Sequence, residues 1–370
     1  MPTIVISGYY GAGNTGDEAI LAAMLQGLRA KLPAAEIVVL SADPAATAVA
    51  HGVQAMHRGF GHGISAKIRL FCRADLLLSG GGGLFQDVYP QRVLPASVLY
   101  YGGICALARL CGCRIMFFAQ GIGPLRGGLA RGLTRFAANG AACIAVRDQD
   151  SADLLVALGV DKVAIHVTAD PVMAWSPRPD SELFNRLGLA GGGPFLTTAV
   201  RPWPDRRYQR NLALILDRAL DRWGFRPLFL PFAGRSDRES CLHIQSLMRQ
   251  SRETVVLPDL TPEEVYAVIA GSSLVLGMRL HALVFAALAE VPMLGMAYDP
   301  KVKAFLVGIG HGDCICHLND GPEKIWAMLS QIRADRSFFA DGTREMLQMQ
   351  KNLAQKNLDL VDEVLRMKAE

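Results

Sequence analysis

The sequence predicts an α/β protein made of two doubly wound domains, each with a parallel sheet. Three observations indicate this fold class. Short apolar runs rich in β-branched residues alternate with longer segments of helical spacing along most of the chain. The alternation breaks once, in the Pro- and Gly-rich stretch at residues 176–194. With 370 residues, 51% of them hydrophobic and 19% charged, the chain can build two packed cores.

In the first half, the apolar runs are bounded by Gly and Asp, as expected for strands buried on both faces of a parallel sheet. Predicted strands lie at 3–9, 36–41, 75–79, 114–120, 143–147 and 163–168. Segments with helical spacing, such as 17–32 and 150–158, separate most of them. These elements predict a first domain at residues 1–178.

After the linker the same alternation restarts and predicts a second domain at residues 190–322. Its predicted strands lie at 195–200, 227–231, 254–257, 274–277 and 293–297. Its predicted helices lie at 207–223, 236–249, 262–270, 281–289 and 301–308. Residues 323–370 form a charged helical tail that we expect to pack back on the first domain.

The charge, the cysteine spacing and the length of the apolar stretches argue against several classes of function. The net charge of +4 is too small to indicate nucleic-acid binding. The eight cysteines form no C-x-x-C pair, which favours reduced thiols over a metal site and indicates a reducing compartment. No basic leader is visible, and no apolar stretch reaches the roughly 18 residues of a membrane span. We therefore expect a cytoplasmic protein without a metal.

In doubly wound sheets ligands bind where strands end, so the loops after strands are informative. The first is GYYGAGNTGDEA at 8–19. Its glycines, Gly11 among them, let a ligand approach the backbone. Asp17 and Glu18 already complement the helix dipole and disfavour a phosphate, so a sugar held by Asn14 and the Tyr hydroxyls is favoured. The alternative is a tight turn capped by Asp17.

Two further glycine-rich loops follow predicted strands. The segment SGGGGLFQD at 79–87 holds Gly81 and Gly82, and four successive glycines favour close approach to a ligand or to the facing domain. Gln86 and Asp87 follow, and Asp87 is a candidate base or hydroxyl binder. In QGIGPL at 120–125, Gln120 could bond a ligand, or the segment could be a simple Gly/Pro turn.

The second domain carries cations at the ends of its strands. Arg201 follows the first strand and is a candidate anion clamp. Arg279 and His281 stand where a strand runs into an Ala-rich helix, so backbone amides, a guanidinium and an imidazole make a compact anion site. The alternative is an Arg paired with an acidic neighbour beside a core His. Lys301 is a weaker candidate phosphate contact, and Asp237 reads as a helix cap.

Together with GMRLHA at 277–282 and AYDPKV at 297–302, the three first-domain loops resemble the polysaccharide pyruvyl transferase family, in particular its bacterial CsaB-type branch. The resemblance covers roughly residues 3–310 in order. It implies a GT-B-like pair of Rossmann-like domains facing each other. It also implies transfer of the enolpyruvyl unit of phosphoenolpyruvate onto two hydroxyls of a sugar, with release of phosphate and without a cofactor.

The CsaB-type branch implies a lipid-linked saccharide acceptor that contains N-acetylmannosamine, for a wall polymer that anchors surface-layer proteins. By motif match, the phosphoenolpyruvate site would comprise Arg201, Arg279, the Leu280 backbone, His281 and Lys301. The acceptor would face Gly11, Asn14, Asp17, Gly81, Gly82, Gln86 and Gln120. Ketal formation needs a proton donor active near neutral pH, which makes His281 the candidate general acid, with Asp87 or Asp17 as base.

Two other functions remain open. The same architecture suits a glycosyltransferase that uses a nucleotide sugar. The second domain shows no matching ribose-binding acidic residue late in its sequence, although Glu263 and Glu264 could imitate one. A non-catalytic sugar or anion binder is the third hypothesis. The sequence is also compatible with a homodimer and with peripheral contact at the inner face of the cell membrane.

Overall fold

The computed structural model describes residues 1–87, 95–178, 180–191, 193–335 and 337–367. The chain divides into two compact units, and neither unit is a single stretch of sequence. The first comprises residues 1–12, 20–175 and 350–370, and the second comprises 13–19 and 176–349. Each unit holds one parallel sheet with helices, which confirms two doubly wound α/β domains.

The sheet of the first unit has seven parallel strands in the order β3-β2-β1-β4-β5-β6-β7. The strands are β1 Thr3–Tyr10, β2 Glu36–Ser41, β3 Gln54–His57, β4 Leu76–Phe85, β5 Arg114–Ile122, β6 Cys143–Val146 and β7 Ile165–Val167. The strand order reverses between β1 and β4, so the loops after these two strands flank the topological switch point.

Helices cover the first sheet: α1 Thr15–Lys31, α2 Pro44–His51, α3 Ile64–Arg73, α4 Ala96–Leu110, α5 Gly128–Asn139 and α6 Gln149–Ala157. Helix α2 shows how the sequence sets these bounds. The Asp43 side chain accepts from the Ala46 amide at the start, and Gly52 ends the helix in the left-handed conformation.

Strand β4 differs from the sequence prediction because it continues through the four glycines. Gly80 pairs with Phe118 and Gly82 with Gln120, so this segment is strand and not loop. A Cβ on Gly80 would lie 3.0 Å from the Phe118 side chain, and one on Gly81 would lie 2.0 Å from Ile20 Cγ2. Tight packing within the unit therefore accounts for the glycines at these two positions.

The second unit has six parallel strands in the order β10-β9-β8-β11-β12-β13. They are β8 Phe195–Ala199, β9 Arg226–Phe229, β10 Val255–Val256, β11 Leu274–Gly277, β12 Met293–Ala297 and β13 Ile315–His317. Strands β3 and β13, both at sheet edges, are absent from the sequence prediction. They are short, and neither forms an apolar run.

The helices of the second unit are α7 Leu183–Arg186, α8 Arg207–Trp223, α9 Gly234–Leu247, α10 Pro262–Ala270, α11 Leu280–Leu288, α12 Pro300–Gly308 and α13 Pro322–Ala334. A last helix, α14 Asp341–Arg366, begins in the second unit and ends in the first. Among the described residues, no helix is both long and apolar enough to cross a membrane.

Candidate functional site

The switch point of the second sheet lies between neighbouring strands β8 and β11. Ala199 at the end of β8 is in register with Gly277 at the end of β11, and the Met278 amide donates to the Ala199 carbonyl at 2.8 Å. Arg201 follows the first of these strands and Arg279 the second. The two predicted cations therefore leave the same edge of the sheet side by side, where doubly wound folds bind ligands.

Arg279 forms a two-point ion pair with Asp237 near the start of α9. Its Nε donates to one carboxylate oxygen at 2.8 Å and its Nη2 to the other at 2.5 Å. Asp237 is fully buried and also accepts from the Phe232 and Ala233 amides. This paired geometry holds the guanidinium rigidly and directs its remaining N–H groups away from the carboxylate.

Helix α11 begins directly after this arginine. Arg279 is the N-cap residue, and its side chain makes no capping hydrogen bond. The first amides of a helix have no partner within it, so those of Leu280 and His281 belong to an N-terminus that favours an anion. The site therefore combines a fixed guanidinium with a helix N-terminus.

His281 packs against the segment Gly13–Ala19, which belongs to the second unit. The imidazole lies so close to Gly16 that a Cβ there would be 2.2 Å from Nδ1. The segment is fixed by the Thr15 amide, which donates to the Phe232 carbonyl at 2.8 Å, and by a bridge between Asn14 and Ala233. The loop that precedes Asp237 thus also holds the backbone that supports His281.

Tyr298, after β12, lies close to both of the other two predicted cations. Arg201 donates from Nη1 to the Tyr298 hydroxyl at 3.1 Å, and its guanidinium carbon is 4.8 Å from the ring centroid. Lys301 Nζ is 5.9 Å from the same centroid and 3.4 Å from an Asp299 oxygen. One aromatic ring therefore brings Arg201 and Lys301 into one cluster.

We call Arg201, Arg279, His281 and Lys301 the cation cluster. Of the predicted acceptor residues, Asn14 and Asp17 lie in the second unit with the cation cluster. Gly11, Gly81, Gly82, Gln86 and Gln120 lie in the first unit. Gly11, Gly81 and Gly82 have positive φ values of 69°, 69° and 81°, which only glycine adopts easily.

The polar side chains of the first-unit loops are largely engaged with backbone. Gln120 is fully buried and donates from Nε2 to the Gly82 carbonyl at 2.7 Å. Asp87 accepts from the Arg126 amide at 2.8 Å and the Gly127 amide at 2.6 Å. These bonds anchor the turn after β5 to the end of β4.

One group in the described part of the chain has the composition of a metal site. Ligand atoms of His311, Asp313 and Cys314 lie within 4.8 Å of one another. These residues precede β13, so they lie at the amino edge of the parallel sheet, whereas Arg201 and Arg279 follow strands at its carboxyl edge. The group is therefore separate from the cation cluster.

Sequence reasoning missed three parts of this cluster. The sequence predicts a helix cap at Asp237, because spacing alone does not pair it with Arg279, 42 residues away. Tyr298 stands inside the AYDPKV motif, which predicts no role for it, and the glycines of the first loop predict close approach of a ligand and not the contact of Gly16 with His281. Their positions after a strand end and beside a predicted helix start were the only available signals.

Solved structures with similar folds cover nearly the whole chain. The Staphylococcus aureus MnaA–UDP complex has a TM-score of 0.68 at 14% identity and covers 100% of this chain and 98% of its own. A UDP-GlcNAc 2-epimerase from Methanocaldococcus jannaschii has a TM-score of 0.62 at 12% identity, covering 96% and 99%. A glycosyltransferase from Rickettsia africae has a TM-score of 0.62 at 11% identity, covering 99% of both chains.

At these identities the likeness shows the fold alone, and it agrees with the expected GT-B-like class. No curated protein matches the chain. A family model described as polysaccharide pyruvyl transferase matches residues 14–300, well over half of the sequence. The match includes Gly16, Arg201, Asp237, Arg279 and His281. The chain therefore belongs to the polysaccharide pyruvyl transferase family.

Proposed function

We propose that the protein transfers the pyruvyl group of phosphoenolpyruvate onto two hydroxyls of a sugar and releases phosphate. The proposed acceptor is the N-acetylmannosamine of a lipid-linked wall-polymer precursor, as the CsaB-type branch implies. The observation that carries the proposal is the Arg279–Asp237 pair, fixed at the N-terminus of α11 beside His281. Family membership supports a transferase acting on polysaccharide, and the donor and acceptor are our inference.

Phosphoenolpyruvate carries about three negative charges at neutral pH, two on the phosphate and one on the carboxylate. A helix N-terminus with an adjacent guanidinium suits its phosphate. Arg201 and Lys301, which lie around Tyr298, suit its remaining negative charge. Asp237 cancels part of the positive charge of this cluster. We infer that this compensation lets the product phosphate leave.

The proposed chemistry begins when the His281 imidazolium gives its proton to the methylene carbon of phosphoenolpyruvate. The adjacent carbon becomes cationic, one sugar hydroxyl adds to it, and a carboxylate takes the hydroxyl proton. The bond from this carbon to the phosphate oxygen then breaks, and the phosphate leaves with the proton that the carboxylate had taken. The second hydroxyl adds to the carbon and closes the ketal, and its proton returns to the His281 imidazole.

Of the two candidate bases, Asp17 has the better structural support. It follows Gly16, which lies against the His281 ring, and it belongs to the same unit as His281, whereas Asp87 belongs to the first unit. A base must reach the hydroxyl that it deprotonates, so we favour the carboxylate whose neighbour in sequence contacts the proposed proton donor.

A nucleotide-sugar glycosyltransferase remains the second candidate. It is favoured by similar structures that were solved with UDP or a UDP-sugar, such as the MnaA–UDP complex. Ligand-induced thermal stabilisation separates the two functions, because only a ligand that binds the folded state raises the melting temperature. We expect stabilisation by phosphoenolpyruvate and none by UDP.

The decisive experiment incubates the protein with phosphoenolpyruvate and a soluble nitrophenyl glycoside of a ManNAc-GlcNAc disaccharide. We expect phosphate release and the mass of one pyruvyl ketal on the sugar. His281→Gln should lower turnover at least about 100-fold, the size of a general-acid contribution, while its melting temperature stays unchanged. The control is His317→Gln, an exposed histidine of the same unit.

Wild-type protein that binds phosphoenolpyruvate but neither releases phosphate nor modifies the sugar would refute the transferase. Full activity of His281→Gln would refute only the role of this histidine. Cytoplasmic location and membrane contact remain predictions, to be checked by fractionating cells that make the protein.

A further inference from the structure

A surface groove of about 520 Å³ adjoins the cation cluster within the second unit. The β8–α8 connection, with Trp203, forms one wall. Helix α9 forms the other wall, and Gln209 at the start of α8 also lines the groove. This volume falls in the range of small-molecule sites. None of the roles assigned so far uses the groove.

The wall formed by α9 presents one polar face. Ser236, Glu239, Ser240 and His243 all line the groove and are spaced as neighbours on one side of a helix. Asp237, on the same helix, contacts Arg279 instead. Helix α9 thus contacts the cation cluster through Asp237, and its hydroxyl, carboxylate and imidazole side chains line the groove.

Gln209 provides the observation that indicates a ligand. Its side chain is 5% exposed, and its Nε2 donates to the Tyr208 hydroxyl at 3.3 Å. Its Oε1 is buried and finds no hydrogen-bond donor among the described residues. A buried acceptor without a donor costs about 1–3 kcal/mol, so a ligand that donates an O–H or amide N–H here is favoured.

The groove is linked to the cation cluster by direct contacts. The Tyr208 hydroxyl donates to the Arg201 carbonyl at 2.7 Å, so Gln209, Tyr208 and Arg201 form one chain of hydrogen bonds. Trp203 packs edge-on against Tyr298 with ring centroids 5.3 Å apart. A molecule in the groove therefore lies next to the groups that would hold phosphoenolpyruvate.

We propose that this groove binds a neutral sugar residue of the acceptor, adjacent to the residue that receives the pyruvyl group. Trp203 supplies an apolar ring for the C–H face of a pyranose. Gln209 Oε1 and the groups on α9 suit hydroxyl and acetamido N–H donors. The inference rests on the proposed function, since it names where that acceptor is held.

The test measures binding and kinetics separately. Calorimetry gives the affinity for the ManNAc-GlcNAc nitrophenyl glycoside without phosphoenolpyruvate, and thermal shift reports phosphoenolpyruvate binding. Gln209→Leu should weaken glycoside binding about tenfold and raise the KM for the glycoside to a similar extent. We expect kcat to stay within about twofold and the shift caused by phosphoenolpyruvate to be unchanged.

A double variant and a control variant complete the test. Glu239→Ala combined with His243→Ala alters only exposed groove side chains, so it should fold even if Gln209→Leu does not, and it should weaken glycoside binding too. The control is Gln331→Leu, an exposed glutamine on α13, which should leave every value unchanged.

The outcomes separate this inference from the proposed function. Wild-type affinity for the glycoside in both groove variants would overturn the groove assignment even if pyruvyl transfer is observed. UDP binding that the groove variants abolish would also overturn it, in favour of a nucleotide site. If the groove variants bind the glycoside more weakly and the wild-type protein does not bind phosphoenolpyruvate, the groove assignment would be supported and the transferase refuted.

Discussion

At the scale of single residues, the cation cluster depends on its partners as much as on its cations. Arg279 is held by a fully buried carboxylate, and Arg201 by a tyrosine hydroxyl and ring. Removing one partner of a buried ion pair costs about 3–5 kcal/mol, because the other charge is left uncompensated. Asp237 and Tyr298 are therefore as important to this site as the arginines that the motifs identify.

Gly16 allows a test of how His281 is held. Gly16→Ala places a Cβ where the imidazole now lies, so the ring must move. We expect kcat for pyruvyl transfer to fall about 10–100-fold, since small displacements of a catalytic group have effects of this size. The melting temperature should stay within a few degrees, because alanine is otherwise favourable in a helix.

The matched control is Gly132→Ala in helix α5, where a Cβ would meet nothing within 4 Å. Its activity should equal that of the wild type. If Gly16→Ala also kept full activity, the contact with His281 would have no bearing on catalysis.

At the scale of elements, helix α14 ties the end of the chain to the first unit. Leu358 fills the space that a side chain on Gly27 would occupy, and Arg114 Nη1 donates to the Val364 and Met367 carbonyls at 2.6 and 2.8 Å. Asn357 is fully buried, accepts from the Thr168 hydroxyl at 2.8 Å and donates to the Ala169 carbonyl at 3.1 Å.

Asn357→Leu would keep the volume of this side chain but leave the Ala169 carbonyl without its donor. We expect a loss of about 2 kcal/mol in the free energy of unfolding, visible as a melting temperature lower by about 4–8 °C. Gln355→Leu, at an exposed position two residues earlier, should change it by less than about 2 °C. Equal melting temperatures for the two variants would contradict this role of Asn357.

Some helices and strands could be predicted from the sequence and others could not. Long apolar runs such as Thr3–Tyr10 were predictable, because burial on both faces demands a continuous apolar stretch. Strand β3 was missed because Gln54–His57 lies at an edge and is polar at both ends. The extension of β4 was missed because glycine disfavours strands, and only tight packing explains Gly80 and Gly81.

The candidate site was predictable at the level of motifs and not of contacts. A guanidinium and an imidazole at a helix start indicate an anion site from sequence alone. The pairing of Arg279 with Asp237 depends on the strand order of the second sheet, which brings β9, β8 and β11 together. Spacing along the chain carries no information about such neighbours.

At the scale of the whole molecule, buried thiols in both units make stability sensitive to alkaline pH. Burial raises the pKa of Cys105, Cys113, Cys241, Cys314 and Cys316 to about 12, and that of Cys143 to about 11. The unfolded chain loses these protons near the ordinary cysteine pKa of 9.0, whereas the folded chain keeps them. Their stabilising effect is therefore complete below pH 9 and is lost as the pH rises toward 12.

We expect the melting temperature, measured under reducing conditions, to fall steeply between pH 9 and pH 11. Each thiol contributes a slope of up to about 1.4 kcal/mol per pH unit. Cys105→Ala and Cys241→Ala, one in each unit, should each make the decline shallower, whereas Cys72→Ala at an exposed position should not. A flat melting temperature from pH 8 to pH 11 would contradict this account.

The short segment Gly13–Ala19 has a consequence for how the protein is made. Its partners Phe232 and Ala233 are synthesised more than 200 residues later, after residues 20–175 of the first unit. The start of helix α1 therefore cannot make these contacts while residues 20–175 of the first unit are being synthesised. A fragment that begins at Ser176 would lack the backbone that supports His281, so the second unit cannot be produced intact by a single cut in the gene.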